Sequence, residues 1–346
     1  MPKNAPALAV LTAGVAALLL LLGGCGSESS GPVARSIRTI SAHPDITIDH
    51  VTGGLHSVQQ EANIAMEKTR NPGAGGDLQP LHAAAFVKPV GEYRTYSERE
   101  AKGAQRSVTA LQADLRAGDV AAAKRDWLDA YDHYLRLGAA YGALGTLDEE
   151  IDGNPGRLPG GTRSPEFTGL HRIEMGLWTG EAPARLIAPA AYLTAKVDRL
   201  QTVVRTIEID PLTYATRAHE ILEDAQRDML SGVDAPWSGA GLRATANSLA
   251  ATEFVIKTLR PLLNGRDSTI EPVDNELARF HAVLMGVRRE DGGEWPSLAA
   301  LTRLQHERID GTLGSLLQRL DDVPGALEVQ RTRPVPTIAE QKREKQ

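Results

Sequence analysis

His171 and Glu174 stand three residues apart in TGLHRIEMGLW, residues 168–178, an otherwise apolar run. On a helix, positions i and i+3 share a face, so an imidazole nitrogen and a carboxylate oxygen would project together. Such a pair is half of a metal site, the part that Glu-x-x-His pairs play in di-iron bundles. Taken alone it is weak evidence, and its plainer reading is a helix-surface contact or a core histidine with its hydrogen bonds satisfied. Two other stretches offer acids. LDEEIDG places Asp148 and Asp152 just after a helix stop at Gly145, and RAHEILEDAQRD sets His219 and Glu223 at i, i+4, with Glu220 and Glu223 at i, i+3. Their plain readings are loop solvation with capping for the first and a solvated helix face for the second. His133, His281 and His306 have no convergent acidic partners in the sequence pattern.

The elements that must hold these residues are helices. From Glu92 onward apolar residues recur at helical spacing, glycines and prolines fall mostly between the periodic segments, and strand-like alternation is almost absent. One helix is expected to stop at Gly118, and a second, VAAAKRDWLDAYDHYLRLGAAYGALG, to run to Gly145. The helix carrying His171 should begin with Ser164 as cap, Pro165 at the first helical position and Glu166 at the positive end of the dipole. Further helices are expected over APARLIAPAAYLTAKVDRLQTVVRTI, LTYATRAHEILEDAQRDMLSG, 239–263, 273–288 and 297–320. So many long helices define an all-α protein and pack most simply as bundles. Trp127, Tyr131, Tyr134 and Tyr141 have the spacing of bundle packing, and Gly138 and Gly142 that of a close helix approach.

The chain's ends bear on where it works. Residues 7–22 are nearly all apolar, behind the basic Lys3, and lead into GGCGS. A short apolar segment ending in small residues is a secretory signal peptide rather than a membrane span. Leu22-Gly23-Gly24-Cys25 resembles the bacterial lipobox, cleaved before Cys25, which then carries the lipid; the alternative is plain secretion with a free thiol. Cys25 is the single cysteine of the chain, so no disulfide, thiolate metal site or cysteine nucleophile is available. The formal net charge is −6, and one unit more negative without residues 1–24, which carry Lys3 and no acid. No basic stripe tracks phosphates, which argues against nucleic acid as a partner. The expected organisation is a lipoprotein signal peptide over 1–24, a flexible tether over 25–45 and an irregular extension over 46–89. A helical domain over 90–330 and a disordered tail over 331–346 follow.

In combination these stretches resemble the imelysin-like family, in particular the EfeO-type proteins of bacterial iron uptake. The likeness runs through YLRLGAAYGALGTLDEEIDGNPGRLPGG, FTGLHRIEMGLWTGE, RAHEILEDAQRDMLSG and PWSGAGLRATA, within residues 90–329. It implies two packed four-helix-type bundles with a cleft between them and a metal site at the His-x-x-Glu pair. Carried over by position, His171 and Glu174 are the signature ligands, Asp152 matches an upstream acidic position, and Glu223 lies in the matching helix of the second bundle. Asp148 and Glu220 are further candidates. Where family members often read Tyr-Glu-Arg, this chain has Tyr134-Leu135-Arg136, and Asp132, one turn earlier, is a candidate substitute. No copper pattern of cysteine, histidine and methionine precedes residue 90, so the chain resembles the short form without a cupredoxin domain.

The function expected from this likeness is capture of iron, or another divalent metal, at the extracytoplasmic face of the membrane. The protein would be held in the cell envelope by lipid on Cys25 and would pass the ion to a membrane permease of an iron-uptake system. One nitrogen with several carboxylates suits a borderline-to-hard cation. Two alternatives have different chemistry. A metallopeptidase of imelysin type needs a spare base that HRIEM does not itself supply, leaving Glu220 or Asp148 for that role. A helical lipoprotein that binds a partner protein or a polysaccharide needs no metal at all.

Overall fold

The computed structural model describes residues 79–328, apart from 265 and 267–269. The signal segment, Cys25, the tether, most of the extension and the tail lie outside the described residues, which are helical and contain no β-strand. Among the described residues no helix is long and apolar enough to cross a membrane.

Local chemistry sets most of the helix ends. α1 (Val87–Ala117) stops as expected at Gly118, whose φ of 77° is left-handed and turns its N–H back to the Asp114 and Leu115 carbonyls. Asp119 then caps α2 (Val120–Leu135), accepting from the Ala122 N–H at 2.9 Å. The expected run to Gly145 is broken at Leu135. There the Leu137 N–H closes a tight turn on the Tyr134 carbonyl at 2.9 Å, and the buried Tyr93 hydroxyl donates to the Leu137 carbonyl at 2.8 Å. Two short helices follow, α3 (Tyr141–Leu144) and α4 (Thr146–Asp152).

The helix that carries His171, α5 (Gly169–Thr179), begins four residues later than the Ser164–Pro165 signal implies. Ser164 instead ends a 3-10 turn, and its hydroxyl accepts from the Glu166 N–H at 3.3 Å. The cause is Gly169, whose φ of 78° cannot be continued as a right-handed helix. A Cβ at Gly169 would collide with the Ile151 carbonyl, so its absence lets the end of α4 lie directly on the start of α5. That contact brings Asp152 to His171.

The remaining helices are α6 (Pro183–Thr206), α7 (Pro211–Asp224), α8 (Gly241–Leu263), α9 (Ile270–Glu290), α10 (Arg303–Leu320) and α11 (Asp322–Ala326). Asp210 caps α7 through the Leu212 and Thr213 amides, and α7 runs on as one π-turn, Ala225–Met229. A capping box of Thr302 and Gln305 opens α10. Helix contacts fall into two groups of four. In the first, α1 packs on α2 and α6, and α5 packs on α2 and α6; in the second, α7 packs on α8 and α10, and α9 packs on α8 and α10. Helix α8 also packs on α1 and α2, joining the groups.

The core follows the helical repeat. Tyr93, Ala101, Ala104, Val108 and Leu111 of α1 face Trp127, Ala130, Tyr131 and Tyr134 of α2, all buried. Trp127 stacks on Tyr131 and donates through Nε1 to the Leu170 carbonyl at 2.9 Å, fixing α2 against the first turn of α5. Gly138 and Gly142 serve close approach, since a Cβ at either would meet the Ile221 or Arg217 side chain of α7.

Candidate metal site

The helical spacing of His171 and Glu174 produces the contact it implies. His171 Nδ1 lies 2.9 Å from Glu174 Oε2, with both side chains almost wholly buried. The ring's other nitrogen, Nε2, faces two more carboxylates. Asp152, at the end of α4, places Oδ1 at 3.2 Å, and Asp234, in the segment between the π-turn and α8, places Oδ1 at 2.8 Å. Imidazole and three carboxylates therefore converge from α4, α5 and one loop.

The two ends of this cluster differ. Glu174 Oε1 accepts from the Trp237 N–H at 3.1 Å, the Ser238 N–H at 2.7 Å and the Ser238 hydroxyl at 2.7 Å. Asp234 accepts from the Tyr131 hydroxyl and from the Ala235 N–H at 3.1 Å. His171 Nε2 and Asp152 Oδ1, by contrast, are buried, close together and outside hydrogen-bond geometry. What holds this end together is charge, the ring edge lying between the carboxylates of Asp234 and Asp152. Among the described residues no group of such side chains stands around a ready-made metal position; here the side chains close on one another.

Charge explains the closure. Burial acts against the imidazolium, but the carboxylates of Asp234 and Asp152 outweigh it and hold His171 protonated well above its usual range. Burial pushes Asp152 up to about 7, with His171 pulling it down and Asp234 and Asp148 adding to the rise. Burial also acts on Asp234, yet the charge of His171 and the Tyr131 hydroxyl bring it below its ordinary value. Burial, followed by these acids, raises the phenols of Tyr131, Tyr134 and Tyr141 well above theirs. The phenols therefore stay protonated and act as donors.

The other expected residues go to different places. Asp148 sits one turn before Asp152 and accepts from the Tyr134 hydroxyl, at the edge of the cluster. Glu223 is half-exposed beside His219, at 3.6 Å, and Glu220 pairs with Arg217 at 2.6 Å; neither shares a contact with His171. Asp132 is held by Arg243, with Nε at 2.8 Å and 3.0 Å and Nη2 at 2.7 Å, and by Asn247 Nδ2 at 2.8 Å. Leu135 is buried in the apolar core. His133 and His281 correct the expectation that they lack acidic partners: His133 Nδ1 meets Glu100 at 2.8 Å and His281 Nδ1 meets Glu253 at 3.1 Å. His306 has none, its Nε2 lying 3.1 Å from the Leu298 carbonyl.

Asp234, Trp237 and Ser238 are the site residues that sequence reasoning misses. They lie in SGVDAPWSGAG, which has no helical period, and the one local signal is the Asp-Ala-Pro turn chemistry. Ala235 there has φ 48°, the single positive φ outside glycine among the described residues. The surrounding contacts hold this turn in a conformation that alanine disfavours.

Comparison with known proteins places the cluster inside a recognised region. The family model for imelysin, peptidase family M75, matches residues 90–252, which include Asp152, His171, Glu174 and Asp234. The chain is 24% identical over 257 residues to the iron uptake system component EfeO of Yersinia pseudotuberculosis serotype I (strain IP32953), covering 73% of this chain and 68% of that protein. It is 23% identical over 236 residues to the protein of the same name from Escherichia coli (strain K12), covering 68% of this chain and 62% of that one.

Proposed function

The chain is an imelysin-like protein of the EfeO type, and from that premise we propose that it captures iron, or another divalent metal, at the cluster around His171. The observation that carries this reading is the buried meeting of one imidazole with Asp152 and Asp234 at its Nε2 edge. Donors bound about 2.1 Å from one cation in adjacent octahedral positions lie about 3.0 Å apart. The Nε2 separations of 2.8 Å and 3.2 Å bracket that value. A nitrogen and several carboxylate oxygens favour iron over thiophilic ions.

Entry of a cation exchanges the imidazole proton for metal and relieves the repulsion between Asp152 and Asp234, the two acids that share it. Binding therefore releases protons and weakens in acid. The work of the site is capture, with no bond of the cargo made or broken. In this reading Cys25 carries the lipid, residues 25–45 tether the helical body to the extracytoplasmic face of the membrane, and a membrane permease of an iron-uptake system receives the ion. The names of the relatives, iron uptake system components, support that role. Glu223, Glu220 and Asp132 fall outside the proposed ligand set.

Equilibrium dialysis of the purified chain against Fe(II), Fe(III), Zn(II) and Cu(II) tests the proposal. Iron should be retained by the wild type and lost from an Asp152→Asn, Asp234→Asn double variant that keeps its helicity. Undiminished retention by that variant would move the site elsewhere.

A further inference from the structure

Resting on the reading of this cluster as a cation site, we infer that Glu174 is a positioning residue for His171 rather than a donor to the ion. Asp234 then supplies the oxygen that the His-x-x-Glu spacing assigns to Glu174. A carboxylate offers about four acceptor positions. Glu174 Oε1 is engaged by the Trp237 amide, the Ser238 amide and the Ser238 hydroxyl, and Oε2 faces His171 Nδ1 at 2.9 Å. The side chain is fully buried. A cation on Oε1 would displace two backbone N–H groups, and one on Oε2 would compete with His171 Nδ1 for the oxygen that orients the ring.

The opposite edge of the ring has the complementary condition. With Nδ1–H held by Glu174, Nε2 is the nitrogen that faces Asp152 and Asp234, at 3.2 Å and 2.8 Å, and it is there that a cation would replace the ring's second proton. A carboxylate that fixes the tautomer of a ligating histidine is a recurrent device of metal sites. One turn, 234–238, provides both Asp234 and the three donors that hold Glu174. The ligand and the support of the orienting group thus come from the same strained segment.

Histidine-selective 15N NMR of the full chain loaded with Zn(II), a diamagnetic probe, distinguishes the two roles, because it reports which ring nitrogen carries the metal. The expected result is a proton on Nδ1 of His171 and zinc on Nε2. Glu174→Gln, which cannot hold that proton as a carboxylate does, should weaken Zn(II) and Fe(II) binding about 10–100-fold while zinc stays on Nε2. Ser238→Ala, a milder change that leaves the carboxylate in place, should weaken binding in the same direction by less. Zinc on Nδ1 with the proton on Nε2 would overturn the assignment, as would Glu174→Gln and Ser238→Ala binding both ions as the wild type does. A wild-type chain that binds neither Zn(II) nor iron would overturn the cation reading itself, a result distinct from either.

Discussion

Removal of the Arg243 guanidinium should expose how the two helix groups are fastened near the site. Arg243 on α8 grips both oxygens of Asp132 on α2, and Asn247 adds a fourth contact. Stranding one partner of a fully buried ion pair costs about 3–5 kcal/mol. Here the side chains keep 23% and 15% exposure, so Arg243→Met should cost about 2–3 kcal/mol at pH 7. For a chain of this size that is a drop in Tm of about 3–6 °C. The pH dependence follows from Asp132, whose carboxyl burial pushes up and Arg243 pulls down without cancelling the rise. A carboxyl raised in the folded state is unfavourable above its folded pKa and neutral in effect below its unfolded value near 3.8. Loss of Arg243 raises it further, so the penalty should be greatest at pH 7 and shrink toward pH 4. Urea unfolding at both pH values measures it, and Asp132→Asn in the Arg243→Met background should recover part of the loss. A penalty equal at the two pH values, or larger in acid, would refute the reasoning. Because Asp132 is committed to Arg243, Asp132→Asn alone should leave iron affinity unchanged.

Other substitutions probe separate parts of the account. Burial, together with the hydrogen bond and charge of Asp114 and the charge of Asp129, raises Asp126 to about 6. Asp126→Asn should therefore stabilise the fold above pH 6, by no more than about 1 kcal/mol after solvent screening, and do nothing below pH 4; denaturant midpoints at the two pH values check this. Trp127→Ala removes a fully buried ring and the clamp on the Leu170 carbonyl, and calorimetry should show a loss of about 3–5 kcal/mol. Leu135→Glu places a charge in the buried apolar core. It should destabilise the fold by about 3 kcal/mol or more, seen as a lower Tm, without tightening iron binding in dialysis.

The helices were readable because their determinants are local. Gly118 and Asp119 mark the α1–α2 junction by backbone and capping chemistry that depends on few neighbours. The same local logic misplaces the start of α5, where Ser164 and Pro165 make a good cap but Gly169 is needed left-handed for the contact with Ile151. The site divides in the same way. His171 and Glu174 meet because helical spacing makes them meet, and Asp152 arrives through the close α4–α5 contact. Asp234 comes from a turn without period, 63 residues beyond His171, and no pattern in the chain announces it. Asp132 shows the converse. On its helix face it resembles a ligand, but only the fold reveals the guanidinium that claims it.

The central claim is that one cation is held at the Nε2 edge of His171. Diffraction from iron-soaked crystals, recorded on both sides of the iron edge, tests it directly. The account predicts one dominant anomalous peak within coordination distance of His171 Nε2, Asp152 and Asp234, with Glu174 still bonded to Trp237 and Ser238. A crystal whose iron lies instead beside His219 and Glu223, or that shows no peak at His171, would contradict it.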